Sequence, residues 1–295
     1  MQPMRPILNA LFLPLSLMLA LSGCDLFKPR APDIKFAPYD KHYQSKADFA
    51  QVEYQFPLTA TELNKLTPDN LAALDQEQID QVYARLTAGP IPDGPFDGKV
   101  LLPRGSSGQF RAAEIVGGFA GMALHLKGLK LETIGETLWK GKVFYRDEGV
   151  LRNRIEDLGA LKKLGLVEGE PQKLTANGKQ TWLLFPAKLY CGQSLLDARR
   201  ESVIIDYFFT DEIKGYQEHP DFLAGRRGLR VRDEIRMVRP GFYLGRAYLD
   251  RVFALNFTLY NKEIAEREGP VFVETGQMKQ DCWIGTQQRV AASSK

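Results

Sequence analysis

Arg232, Glu234 and Arg236 occupy every second position of one stretch, a spacing that puts their side chains on one face of an extended strand. On a solvent-facing surface such a row is an ion ladder worth about 0–1 kcal/mol per pair. Inside a barrel the same guanidinium groups would grip a carboxylate or phosphate headgroup, because their planar fork matches such anions. The ladder is the simpler reading. Asp233 falls on the opposite face, in phase with Val231, Ile235 and Met237, and Asp206 sits among Ile204, Ile205, Tyr207 and Phe208. A carboxylate with apolar neighbours must find a partner or give up its charge. The two acids could form an acid/base pair. As structural groups, each would instead be held by an arginine or tyrosine, with Arg246, Tyr243 and Tyr248 as the expected partners. These side chains form the candidate ligand-contact network.

Other chemistries lack their residues. His42, His125 and His219 do not cluster with each other or with the three cysteines, so no metal site is expected. Gly105-Ser106-Ser107-Gly108 is not a nucleophile elbow, whose serine lies two residues from a glycine on each side. Gly192-Gln193-Ser194 has no evident triad histidine. No phosphate loop or dinucleotide fingerprint is present, and no cofactor is implied. A net charge of +3 from 39 basic and 36 acidic residues is too even for a nucleic-acid partner. The basic run Arg226-Arg227-Gly228-Leu229-Arg230-Val231-Arg232 reads as a solvated face that could meet anionic lipid.

At the N-terminus, Arg5 precedes a broken apolar run from Ile7 to Ala20, followed by Leu21-Ser22-Gly23-Cys24. The run is too short to cross a hydrocarbon core about 30 Å thick. It resembles the signal peptide and lipobox of a bacterial lipoprotein precursor. That resemblance implies cleavage after residue 23, acyl chains on Cys24, and a mature protein held on a membrane of the cell envelope, facing the periplasm. Each buried methylene is worth about 0.8 kcal/mol, so two or three chains hold far better than one. Asp25 resembles an inner-membrane retention signal, with the outer membrane left open. In that oxidising compartment, with Cys24 consumed by lipid, Cys191 and Cys282 are most simply one disulfide. Two separate buried thiols are the alternative.

Beyond the anchor, residues 24–57 read as a tether and entry segment interrupted by Pro29, Pro32, Pro38 and Pro57, with no helical period. Tyr39, Tyr43, Phe49, Tyr54 and Phe56 suggest that its second half packs on the body. Residues 58–90 form a small helical segment, with Thr67-Pro68 and Asp75 as helix starts and Gly89-Pro90 as the stop. Residues 91–295 form the main domain, with an apolar, glycine-rich helical insert at 110–138. Candidate strands are 96–102, 143–145, 150–155, 181–190 and 202–209, and the 156–175 stretch is ambiguous. The clearest signal is a three-strand meander over 231–260, turning at Pro240-Gly241 and Asp250-Arg251. A sheet of seven to nine such strands curls or closes.

The expected fold is therefore mainly β with helical additions: a lipocalin-like antiparallel barrel with helices at one end. Trp139-Lys140-Gly141, with the later meander, resembles bacterial calycin-type domains carrying a Gly-x-Trp-x-Gly signature, although Thr137 replaces its leading glycine. That resemblance implies a fold and an apolar cavity rather than a reaction. The function expected is an envelope lipoprotein that binds an apolar or amphipathic, lipid-like molecule without catalysis. Alternatives are an assembly lipoprotein contacting envelope proteins through residues 25–90, and an enzyme using Asp206 or Asp233.

Overall fold

The computed structural model describes residues 30–39, 47–101, 139–163, 165, 167–176 and 178–285 of the 295-residue chain. Cys24, Asp25, Tyr43, His42, His125 and the insert expected at 110–138 lie outside the described residues. Among the described residues there are nine antiparallel strands: β1 Gly94–Leu101, β2 Trp139–Tyr145, β3 Val150–Ile155, β4 Lys173–Ala176, β5 Lys179–Gln193, β6 Glu201–Asp206, β7 Val231–Arg239, β8 Phe242–Leu249 and β9 Val252–Tyr260. Strands β5 to β9 pair in sequence order, β9 pairs with β1, and β3 pairs with β5. Eight strands thereby close into an antiparallel barrel, and β4 is a hairpin arm added to β5. Closure removes the exposed edges that a sheet of this width would otherwise present.

The expected meander is present, and its turns follow from residue type. Gly241 has φ +73°, and a Cβ there would stand 2.6 Å from the Asn261 carbonyl oxygen. Asp250 takes the left-handed conformation at the β8–β9 turn, φ 57°. Pleating then sorts the side chains. Val203, Ile205, Ile235, Met237, Phe257 and Leu259 point into the barrel, where they join Phe96, Phe144, Leu151 and Ala187 in one buried cluster drawn from all eight strands. Phe96 meets Phe144 edge-on at 5.5 Å and Tyr243 at 5.7 Å, and Trp139 meets Phe257 at 5.6 Å. Packed aromatic rings thus occupy the interior.

A helical layer covers the outer face of β7 and β8. It contains α1 Phe49–Gln55, α2 Ala60–Lys65, α3 Pro68–Leu71 and α4 Gln76–Ala84. Thr59, Thr67 and Asp75 each close a capping box, and Pro68 sits in the first turn of α3, where its missing N–H leaves nothing unpaired. Leu63, Leu66, Leu71, Leu74 and Ile79 pack on Val238, Phe242 and Leu244. Each fully buried leucine of this kind contributes about 1.5–3 kcal/mol. The entry segment runs over the far side of α4, where Gln81 exchanges hydrogen bonds of 2.9 and 3.0 Å with Ala37.

Two helices depart from the sequence expectation. The segment read as an unstructured tether contains α1, capped by Asp48, and its Tyr54 is 65% exposed instead of packed. A further helix, α5 Lys262–Thr275, capped by Asn261, follows β9; Gly269-Pro270 within it reads as a breaker, but Phe272 and Ala265 anchor it to the body. Among the described residues, no helix is long and apolar enough to cross a membrane. Cys191 and Cys282 form a disulfide, Cα–Cα 5.3 Å across 91 residues, which pins the segment after α5 to the end of β5.

Candidate functional site

The outward face of β7 and β8 is charged, and it is buried. Arg236 is fully buried, with Nη1 2.9 Å from Asp197 Oδ2 and Nη2 donating to the Asp197 and Arg200 carbonyls. Ser202 Oγ bridges Arg236 Nε and the Tyr83 hydroxyl at 3.0 Å each. The Tyr83 ring lies between two guanidinium groups, 4.8 Å from Arg236 and 5.6 Å from Arg246. Arg246 Nη1 pairs with Asp80 on α4, its Nε donates to the Tyr248 hydroxyl at 3.0 Å, and the Phe253 ring stands 4.3 Å away. Burial works against this charge, but Asp80 and Tyr248 outweigh it and hold the Arg246 pKa above the ordinary arginine value. Asn256 and Gln76 complete the cluster, joined at 2.7 Å.

Above this layer opens a cleft of about 540 Å³ between the 194–196 loop and the β8–β9 turn. Leu195, Leu196, Val252 and Phe253 supply apolar walls, and Arg246, Tyr248 and Arg251 supply the polar groups. That volume falls in the range of small-molecule sites. The loop is held down by Glu234, whose Oε1 accepts from the Leu195 amide at 2.7 Å and from Arg232. Glu234 Oε2 is buried and has no partner among the described residues.

A second polar cluster sits inside the barrel. Lys142 Nζ donates to Asp233 Oδ2 at 2.8 Å, Asn153 Oδ1 at 2.9 Å and the Tyr207 hydroxyl at 2.6 Å. Burial disfavours the ammonium, but Asp233 and Tyr207 together raise its pKa above 10.5. Burial, partly offset by Lys142, pushes Tyr207 up to about 12. All three ammonium protons are matched, so this cluster fixes β2, β3, β7 and Tyr207, the residue that follows β6, to one another.

The expected network is therefore divided between two sides of the barrel wall. Arg232, Glu234, Arg236 and Arg246 share the outer face, but they lie under the helices and the 194–200 loop instead of forming an exposed ladder or lining the barrel interior. Asp233 points inward, as its phase with Ile235 requires, whereas Asp206 points outward and accepts from Tyr190 at 2.6 Å and from the Phe208 amide. The two acids cannot act together on one substrate. The expected partners also differ: Tyr243 donates to the Pro90 carbonyl at 2.7 Å, and Arg246 and Tyr248 serve Asp80 and each other. Arg226 and Arg227 of the basic run are ion-paired to Asp211 and Glu218.

Sequence reasoning missed Asp80, Tyr83, Asp197 and Lys142. Lys142 carried a signal: it is a charge in phase with Phe144 on a strand expected to face the core. Among the described residues, the one group with metal-site spacing, Cys191, Cys282 and Glu201, contains the disulfide, and Glu201 accepts from the Trp283 amide at 2.8 Å. The chain matches no protein-family model, no curated protein and no solved structure.

Proposed function

We propose that this protein is a lipid-anchored binding module that holds an apolar or amphipathic, lipid-like molecule in the cleft on the outer wall of its barrel. The closed eight-strand barrel suits a binding module. The observation that carries the reading is the cleft itself, in which Leu195 and Val252 stay 41% and 36% exposed beside a caged arginine. Apolar side chains left open next to a polar group are what an amphipathic ligand covers. With the interior occupied by rings, the cleft is the better supported site for a ligand. The anchor would be Cys24, on an envelope membrane facing the periplasm, with Asp25 favouring the inner membrane.

The assembly reading has less support. The helices of residues 58–90 direct Leu63, Leu66, Leu71 and Leu74 at the barrel, not outward. Asp206 and Asp233 working as an acid/base pair is disfavoured by their placement on opposite faces.

Mass spectrometry of the denatured, extracted protein should reveal a co-purifying lipid-like molecule, and a fluorescent fatty acid should bind. Leu196→Asp should abolish both. Binding unaffected by that change would place the ligand elsewhere. For the anchor, labelled palmitate should enter the wild type and not Cys24→Ala, and the variant should leave the membrane fraction; equal labelling and retention would remove the anchored reading.

A further inference from the structure

Two guanidinium groups, those of Arg246 and Arg251, line the cleft. Arg232 is matched by Glu234 and Arg246 by Asp80. Arg251 lines the opening and makes no ion pair among the described residues. Arg246, though 1% exposed at its side chain, lines the same cleft, and its hydrogen bonds run from Nε and Nη1; its Nη2 makes none among the described residues. A buried guanidinium with one edge unengaged, facing a cleft whose mouth carries a second cation, has donors to spare for one anion. The aromatic groups Tyr83, Tyr248 and Phe253 fix that guanidinium in place, so little side-chain entropy is lost when a ligand docks.

We propose that the cleft selects amphiphiles by an anionic head: a carboxylate or phosphate bound between Arg246 Nη2 and Arg251, with the apolar tail laid against Leu195, Leu196, Val252 and Phe253. This rests on the cleft being the binding site. It adds the sign of the head and the residues that read it. The volume of about 540 Å³ suits one modest-sized molecule.

The test uses purified, delipidated full-length protein and four probes of equal chain length, each below its micelle concentration: dodecanoate, dodecyl phosphate, dodecanol and dodecyltrimethylammonium. Titration calorimetry should show at least one anion binding about tenfold or more tightly than dodecanol, and the ammonium binding weakest. Arg251→Gln should weaken the anion about five- to tenfold and leave dodecanol unchanged; Arg251 is exposed, so folding is not at risk. Raised salt should narrow the gap between anion and alcohol. Which anion binds better identifies the source, a fatty acid or a phosphate ester. Dodecanol binding as tightly as both anions would overturn the head-group inference and leave the cleft standing. No binding by any probe would overturn both. Equal anion affinity in Arg251→Gln would remove that residue from the site.

Discussion

Glu234 and Arg246 are direct partners in the β7–β8 ladder, both buried, and each is neutralised by a different residue. Glu234 takes Arg232 from its own strand, and Arg246 takes Asp80 from α4, 166 residues away in sequence. The Arg246 charge is therefore tolerated only while α4 is docked. Asp80→Asn should cost about 3–5 kcal/mol, the usual loss when one member of a buried pair is removed. The double change Asp80→Leu with Arg246→Met should come within about 1 kcal/mol of the wild type or exceed it. Urea unfolding of the full cycle measures both, and an Asp80→Asn protein as stable as the wild type would show that the pair does not hold α4 to the wall.

Asp197 gives the 194–200 loop a pH dependence. Burial alone would raise its pKa, but Arg199 and Arg236 overcome that and lower it below 3.8. A depressed carboxylate pKa contributes stability that is present above 3.8 and is lost as the pH falls through the folded value. Asp221 runs the other way, its pKa raised by burial, so the effect is read as a difference between proteins. Asp197→Asn should be about 3–5 kcal/mol less stable than the wild type at neutral pH. That gap should close as the pH falls below 3.8. Denaturant midpoints for both proteins across the acid range provide the measurement, and a gap that does not change with pH would remove Asp197 as its source.

The barrel was legible because its signals are local. Alternation over 231–260 and the Pro240-Gly241 turn need only neighbouring residues, and the caps at Thr67 and Asp75 are two to four residues long. The site was legible only in part because its partners are distant. Arg232, Glu234 and Arg236 look like a solvated row until Asp197 and α4 are known to lie over them. Tyr83 and Asp80 sit on a helix whose residues are almost all buried, a state its polar composition conceals. The segment carrying α1 has four prolines, and α5 contains Gly269-Pro270. In both cases tertiary contacts outweigh local propensity.

Inside the barrel, Lys142 sets a second pH dependence, with the opposite sign. The Lys142 pKa is raised in the folded state above 10.5, so its contribution is complete below that value and is lost as the pH rises through the folded one. Lys142→Met leaves Asp233 buried with only the long 3.4 Å contact from Tyr207 and should cost about 3–5 kcal/mol at neutral pH. Its stability should also lack the alkaline decline of the wild type that comes from this group. Unfolding curves on either side of 10.5 test the point; parallel declines in the two proteins would assign the alkaline loss to other groups.

Gly141 on β2 pairs with Asp97 on β1. Its φ is +125°, and a Cβ would lie 2.0 Å from the Phe96 carbonyl oxygen, inside the β1–β2 ladder. The Trp139 ring drapes over Gly98, where a Cβ would meet it at 2.4 Å. Any side chain at 141 must push β1 and β2 apart and strain the backbone, at about 1–3 kcal/mol for the conformation alone. Separation of the strands would also move Trp139, whose indole N–H donates to Asn153 at 2.9 Å, and through Asn153 would disturb Lys142. Gly141→Ala should therefore lose more than about 3 kcal/mol and shift the tryptophan emission to the red. Trp139→Phe alone should keep the fold, since Phe retains the edge-on contact to Phe257. An alanine variant with unchanged stability and emission would show that the two strands tolerate a side chain at this crossing.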